Sequence, residues 1–225
     1  DMSQSRYAKM ANTGIDAVHW TNGFWGERFN VFSGTSLQSM WNTWNTPEVS
    51  HGFRNFEIAA GICKGEHWGP PFHDGDMYKW MEGVASVYAV NKDLELDKLM
   101  DNFIACVVKA QRADGYIHTP VIIEELNKGI DSHTQADSQQ QTVIGTKVGS
   151  EDEKGAFANR LNFETYNLGH LMMAGIVHHR ATGKTTLLDA AVKATDFLCH
   201  FYETASAELA RNAICPSHYM GVVEM

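Results

Sequence analysis

Apolar side chains recur every three or four positions over most of the sequence, which is the spacing of one face of an α-helix. Pro47 and Gly183 interrupt this pattern, and both are residue types that are common just beyond the end of a helix. The pattern predicts helices over 35–44, 53–62, 77–90, 94–110, 163–182 and 185–202, with a further helix starting near Pro216.

Two of the predicted helical hairpins, 77–110 and 163–202, resemble each other. The second helix of each begins with a similar triplet, Leu99-Met100-Asp101 in one and Leu187-Leu188-Asp189 in the other. Helical pairs that repeat with long loops between them are typical of a toroid rather than of a compact bundle. The predicted fold class is therefore mainly α, a helical toroid with a few short strands in its loops.

Those few strands are predicted from short apolar runs near turn residues. Residues 17–20 and 142–144 are strand-like, and 116–123 follows the turn residues Asp114 and Gly115 and is predicted as an extended hairpin. Residues 126–158 are rich in Gln, Ser, Gly and Asp and are predicted to be a long loop or insertion. The final helix has no cap before residue 225, which leads us to expect that the natural protein continues.

Composition excludes several classes of function. The 225 residues are 44% apolar and 20% charged, as in ordinary globular domains, and the formal net charge is −9. An acidic chain without a basic patch is not expected to bind nucleic acid or an anionic membrane. No apolar run approaches the roughly 20 residues that span a bilayer. The four cysteines lie far apart, most of them are predicted to be buried thiols, and no metal site is predicted within this chain.

The candidate chemistry lies at the starts of the predicted inner helices. In a toroid these helix starts surround the mouth of one central cavity, where a polar ligand can bind. The loop before residue 77 carries His73, Asp74 and Asp76 close to Trp68. Aromatic faces stack on sugar rings, and paired acids accept hydrogen bonds from sugar hydroxyls. Asp76 is also predicted as the N-cap of the helix, and the structural alternative is that Asp74 and Asp76 only cap it, with Trp68 packed beneath.

Two further segments carry similar chemistry. Glu164, Asn167 and His170 are spaced by three positions, so that Glu164 and Asn167 share a helix face and His170 lies farther round. No HExxH zinc motif is present, and a single helical histidine is more often structural than functional. His218 opens the last predicted helix. These segments add Glu164, His170 and His218 to the candidate sugar-binding residues.

At these loops the sequence resembles the β-L-arabinofuranosidase-type glycoside hydrolases, a bacterial family once known only as a domain of unknown function. The resemblance depends on the order and spacing of motifs that are individually unspecific. They are Gly23-Phe24-Trp25-Gly26-Glu27-Arg28, the run from Asp74 to Glu82, the run from Gln111 to Thr119, the run from Glu164 to Leu171, and Pro216-Ser217-His218.

The resemblance implies that 1–225 is the N-terminal portion of a single (α/α)6-barrel catalytic domain, which β-sandwich domains follow. It implies a retaining exo-hydrolase of terminal furanosides on plant-type glycans. His170 and His218 would then hydrogen-bond the sugar, and Asp76 would lie in the same cavity wall. At Phe163 the sequence departs from the family, whose members often carry histidine before the glutamate.

The resemblance also implies a zinc-bound cysteine nucleophile and a glutamate acid/base. No segment of this chain matches them, so both residues and the zinc are expected in the remainder of the barrel, and the catalytic residues are unknown from this chain. Two alternatives stay open. One is a metal-independent (α/α)-barrel carbohydrate enzyme, such as a uronyl hydrolase or lyase, and the other is a non-catalytic glycan-binding protein. A polymeric substrate favours a periplasmic or secreted location, with the cytoplasm as the alternative.

Overall fold

The computed structural model describes residues 6–7, 9–10, 13–129, 157, 159–211 and 214–225, and the regular structure in these ranges is helical. Its α-helices are α1 (Gly23–Val31), α2 (Leu37–Trp44), α3 (Gly52–Ala59), α4 (His73–Asn91), α5 (Leu94–Ala110), α6 (Thr119–Asn127), α7 (Glu164–Thr182), α8 (Thr186–Thr204), α9 (Ala207–Ala210) and α10 (His218–Glu224). A π-helical turn (Phe32–Ser36) joins α1 to α2, and a 3₁₀ turn (Arg160–Asn162) precedes α7.

The predicted helices are confirmed, and local chemistry sets their ends. Lys92 adopts a left-handed conformation after α4, and the Asp93 side chain then accepts a hydrogen bond from the Glu95 N–H to start α5. Gly183 takes a left-handed conformation with φ of 76° between α7 and α8. These tight reversals make α4–α5 and α7–α8 two antiparallel helical hairpins.

The prediction of short strands is wrong for the described residues. Residues 17–20 are irregular, and the segment predicted as an extended hairpin contains the start of α6 at Thr119. Pro120 suits the first turn of a helix, and burial of Val121, among other apolar side chains, stabilises the helix despite its β-branched residues. The predicted loop 126–158 begins inside the last turn of α6, while 130–156, including the predicted strand 142–144, lies outside the described residues.

The core lies between the two hairpins. Helix α4 packs along α7, α5 contacts α8, and α10 lies against α7. The largest fully buried side chains include Trp80 and Tyr78 on α4 and Phe103 on α5, and the Phe56 and Phe103 rings meet edge to face at 5.0 Å. This packing holds α4 and α7 rigidly side by side with their amino ends together.

A glycine allows α10 to approach α7. A Cβ atom added at Gly169 would lie 2.3 Å from the backbone nitrogen of His218 and 2.5 Å from the carbonyl carbon of Ser217. Both are backbone atoms, so the clash cannot be relieved by a side-chain rotation. Gly169 therefore sets the distance at which His218 is held against α7.

We expect Gly169→Ala to destabilise the protein by about 1–3 kcal/mol, because the added methyl group forces α10 away from α7. Thermal and denaturant unfolding measure this loss. The matched control is Gly34→Ala, where a Cβ atom meets nothing within 4 Å and should be neutral. An unchanged melting temperature for Gly169→Ala would contradict the described packing.

Candidate functional site

Polar and titratable residues occupy the amino ends of several helices. His51 precedes α3, His73 is the first residue of α4, His118 precedes α6, Glu164 begins α7, and His218 begins α10. Unpaired backbone N–H groups at the start of a helix favour hydrogen-bond acceptors and negative charge. The site is thus built from helix starts, as the sequence predicted.

Side chains join the starts of α4, α6 and α7 directly. The Asn167 side chain accepts a hydrogen bond from the Gly75 N–H at 2.9 Å and donates one to the Pro71 carbonyl at 2.9 Å. Its amide nitrogen also lies 3.3 Å from Nδ1 of His118. One buried amide therefore contacts three segments that the sequence separates by up to 96 positions.

Asp74 is a buried carboxylate whose two oxygens are both engaged by one residue. It accepts hydrogen bonds from the Thr119 N–H at 2.7 Å and the Thr119 hydroxyl at 2.6 Å. His118 lies next to it, with Nδ1 3.6 Å from Oδ2. Burial alone raises the pKa of Asp74, but His118 and the Thr119 hydrogen bonds outweigh burial, so that its pKa lies below the ordinary value.

Glu164 is a second buried carboxylate, and its pKa is shifted in the opposite direction. Its Oε1 accepts hydrogen bonds from the Tyr116 hydroxyl at 2.5 Å and from the Phe157 N–H at 2.9 Å. Burial raises the pKa of Glu164 above its ordinary value, although His118, Tyr116 and the Phe157 N–H act to lower it. Asp74 and Glu164 therefore lie in one buried region with their pKa values moved in opposite directions.

Burial disfavours the charged form of two histidine rings near Asp74. Burial lowers the pKa of His67 to about 4 and also lowers the pKa of His73, which is half-buried. The His73 ring packs edge to face on Trp44 at 5.7 Å, and His51 packs in the same way on Trp68 at 5.0 Å. The loop before α4 is thus held by aromatic and imidazole contacts.

Asp76 and His170 lie on a different, partly exposed face of α4 and α7. Helix α4 begins at His73 with Phe72 as its N-cap, so the prediction that Asp76 is the N-cap is wrong. Asp76 lies in the first turn of α4 and pairs with Lys79 at 2.8 Å. Lys79 also donates a hydrogen bond to the Tyr166 hydroxyl at 2.5 Å. The His170 ring packs edge to face on Tyr166 at 4.6 Å.

His218 lies at the contact between α10 and α8. Its Nε2 is 3.2 Å from the Tyr202 hydroxyl, and the two rings are stacked with centroids 5.7 Å apart. Burial lowers the pKa of His218. The Ser217 hydroxyl donates a hydrogen bond to the Tyr166 carbonyl at 2.8 Å, so the residue before His218 is anchored on α7.

The six residues predicted for the site therefore fall into three neighbouring groups. His73, Asp74 and Glu164 belong to the buried region around His118, Asp76 and His170 face the partly exposed side, and His218 lies against α8. Sequence reasoning missed His118 and Tyr116, although both lie in the motif from Gln111 to Thr119. The signal was available, because a histidine directly before Thr-Pro is well placed to precede a helix.

The part of the chain that the structure describes contains no group of three His, Cys, Asp or Glu side chains arranged to hold a metal ion. Burial raises the pKa of the Cys63 thiol and raises that of Cys106 to about 11, which disfavours the thiolate that binds metals. Cys199 and Cys215 are exposed and Cys63 is half-buried, so the prediction that most of the cysteines are buried is wrong and holds only for Cys106. Among the described helices, none is long and apolar enough to cross a membrane.

Comparison with known protein families matches residues 17–225 to the catalytic domain of β-L-arabinofuranosidases of family GH127. The chain belongs to the GH127 family. The match includes each of the helix starts described above, so the resemblance seen in the sequence motifs is confirmed.

The relatives of this GH127 domain are longer proteins. A non-reducing end β-L-arabinofuranosidase of Bifidobacterium longum subsp. longum is 32% identical over 149 residues, which cover 66% of this chain and 19% of that protein. A solved structure described as a glycoside hydrolase is 68% identical, with a TM-score of 0.65, and the match covers 100% of this chain and 26% of that one.

A third relative is a GH127 β-L-arabinofuranosidase from Geobacillus stearothermophilus T6. It is 31% identical, with a TM-score of 0.64, over 80% of this chain and 25% of its own. The helical architecture of the GH127 domain matches part of the (α/α)6 barrel of these proteins. The chain spans about a quarter of the length of its relatives, or less.

Because the pKa values of the two buried carboxylates are shifted in opposite directions, we expect removal of their charges to affect stability unequally. Asp74→Asn places an amide N–H₂ against a Thr119 donor, and we expect a loss of about 1.5–3 kcal/mol in unfolding free energy at pH 7. Glu164→Gln is the matched variant. Its amide oxygen can accept from the Phe157 N–H, its N–H₂ can donate to the Tyr116 hydroxyl, and it removes a buried charge, so we expect a smaller loss.

The pH dependence of the unfolding free energy tests the opposite pKa shifts of Asp74 and Glu164. The stabilisation from Asp74, whose folded pKa is lowered, is present above its unfolded pKa of about 3.9 and is lost as pH falls through the folded pKa. The raised pKa of Glu164 opposes folding at neutral pH, and this penalty is relieved as pH falls through it. Equal losses for both variants at pH 7 would contradict the two opposite pKa shifts.

Proposed function

We propose that the full-length protein is a retaining exo-glycosidase that removes terminal β-L-arabinofuranose or a related furanose from plant-type glycans. The GH127 match over 17–225 carries this proposal, and the name of the Bifidobacterium relative supports the choice of sugar. The described chain would form part of the sugar pocket. The remainder of the barrel is its structural partner, and a glycan is its substrate.

The geometry favours different roles for the six candidate residues. Asp76 and His170 lie on the partly exposed face of α4 and α7, where a sugar can reach them. Asp74 and Glu164 are buried and their oxygens already accept hydrogen bonds, so we assign them to holding the helix starts in place. His73 and His218 would present neutral rings that donate or accept a hydrogen bond according to their tautomer.

The reaction itself depends on residues outside this chain. A cysteine there would hold zinc, which would supply a thiolate nucleophile by lowering the thiol pKa, and a glutamate there would protonate the departing glycosidic oxygen, as the family resemblance implies. The described residues do not fit zinc, since no suitable cluster exists among them. What this chain contributes is therefore binding and orientation of the sugar, with the histidines and Asp76 directed at its hydroxyl groups.

The alternatives use the same pocket in other ways. A metal-independent uronyl hydrolase or lyase would need Asp74 or Asp76 as a free acid/base, but Asp74 binds Thr119 and Asp76 pairs with Lys79. A non-catalytic glycan-binding protein would bind the sugar without turnover. Since the proposed substrate is polymeric, we also propose that the protein is exported.

We expect His170→Ala and His218→Ala in the full-length protein each to lower kcat/KM for 4-nitrophenyl β-L-arabinofuranoside by about tenfold to a hundredfold, the typical loss from removing a hydrogen bond of about 1.4–3 kcal/mol. His200→Ala is the matched control, because His200 is exposed on α8.

The outcomes separate the candidate functions. Hydrolysis by the wild-type protein that neither histidine variant impairs would remove both residues from the sugar site. Binding of L-arabinose without hydrolysis in the zinc-loaded protein would favour the glycan-binding alternative. Hydrolysis that survives complete removal of zinc by a chelator would favour the metal-independent class.

We expect the zinc content of the full-length protein to be unchanged by Cys→Ser substitution at each of the four cysteines of this chain. The reason is that the half-buried Cys63 and the buried Cys106 have raised thiol pKa values, and the exposed Cys199 and Cys215 belong to no ligand cluster among the described residues. Inductively coupled plasma analysis of each purified variant measures bound zinc. Loss of zinc from any one of them would place a metal ligand in this chain.

A further inference from the structure

A carboxylate on α4 faces the candidate sugar-binding histidine on α7. Oε1 of Glu82 lies 3.8 Å from Nδ1 of His170, and the two side chains are 26% and 21% exposed, so both lie at the edge of the partly open face. The helices that carry them are packed along each other, which fixes the two backbones in relation to one another. The pair is thus a feature of the rigid part of the fold.

The Glu82 oxygen that faces His170 is buried and has no hydrogen-bond partner among the residues that the structure describes. A buried acceptor without a donor is costly, by about 1–3 kcal/mol. The 3.8 Å separation of Oε1 from Nδ1 of His170 is too long for a hydrogen bond, and a closer approach of about 1 Å would satisfy the oxygen. Contacts of this kind tighten when a ligand fills the site.

The ring of His170 is restrained on another side as well. Tyr166 packs against it edge to face, with centroids 4.6 Å apart and an interplanar angle of 79°. The Tyr166 hydroxyl in turn accepts a hydrogen bond from Lys79, whose ammonium group pairs with Asp76. Asp76, Lys79 and Tyr166 therefore hold the plane of the imidazole, and Glu82 faces one of its nitrogens.

We propose that Glu82 is a positioning residue that keeps the imidazole proton of His170 on Nδ1. A carboxylate only accepts hydrogen bonds, so it favours the tautomer with N–H on the nitrogen that it faces. Nε2 of His170 is then left as an acceptor for a hydroxyl group of the sugar. This role rests on the proposed function in so far as His170 contacts the substrate.

Two substitutions distinguish a role of Glu82 as a hydrogen-bond acceptor from a role in packing alone. Glu82→Leu in the full-length protein keeps a similar volume and removes the acceptor, whereas Glu82→Gln keeps an acceptor oxygen without the charge. Glu95→Leu is the control, because Glu95 is an exposed carboxylate on α5 that pairs with Lys98. Melting temperatures of all variants report any loss of folding.

The primary measurement is the tautomer of His170, read from ¹⁵N chemical shifts of the imidazole in ¹⁵N-histidine-labelled protein and assigned with His170→Gln. We expect Nδ1–H in the wild-type protein and a shift toward Nε2–H in Glu82→Leu. Glu82→Gln should lie between them, because its amide can either accept from Nδ1–H or donate to Nδ1. For 4-nitrophenyl β-L-arabinofuranoside we expect kcat/KM to fall by about 10–100-fold in Glu82→Leu, with a smaller loss in Glu82→Gln.

An Nε2–H tautomer in the wild-type protein, or a tautomer that Glu82→Leu leaves unchanged, would overturn the proposal. Equal loss of activity in the Leu and Gln variants would overturn it too, because the acceptor would then not be what matters. The tautomer is measured without substrate, so it decides the role of Glu82 even if the wild-type protein hydrolyses no furanoside, a result that would instead refute the proposed function.

Discussion

The architecture of the site depends on one buried amide. Asn167 accepts from the first turn of α4, donates to the loop that precedes it, and contacts His118 before α6. An amide suits this position because it donates and accepts at once, and a buried amide must satisfy both groups. Without it, hydrogen bonds such as those of Thr119 to Asp74 and of Tyr116 to Glu164 would still join these helix starts in pairs, but no single side chain would connect all three.

Electrostatics then divides the region into two layers. The inner layer holds Asp74 as a carboxylate, raises the pKa of Glu164 and keeps histidines such as His67 neutral, because burial penalises charge unless donors compensate it. The outer layer is partly exposed and carries the charged pair Asp76 and Lys79. The inner layer stabilises helix ends, and the outer layer is where a polar ligand can be bound.

This division is consistent with a domain that orients a sugar while the reacting groups come from elsewhere. The described residues include no metal-ligating cluster and the chain spans about a quarter of its GH127 relatives, or less. Rigid helix starts suit a positioning role, since an error of about 1 Å in the placement of a substrate costs much of the rate. The proposed role of Glu82 is of the same kind, because its carboxylate would orient the imidazole of His170.

The sequence by itself determined the long helices and the family of the domain. Apolar periodicity predicted α4, α5, α7 and α8 closely, because each buries one face, and the order of motifs indicated the GH127 family. It did not predict α6, since β-branched residues favour strands locally and only burial of Val121 and its neighbours stabilises a helix there.

Which groups meet was decided by the tertiary structure alone. Thr119 lies 45 positions from Asp74, and Glu82 is brought to His170 only by the packing of α4 on α7. No local pattern encodes contacts between residues so far apart, because each depends on the angle and register of two helices. The same packing buries Asp74 and Glu164 and places different donors around them. Their pKa values move in opposite directions because His118 and Thr119 outweigh burial at Asp74, whereas burial prevails at Glu164.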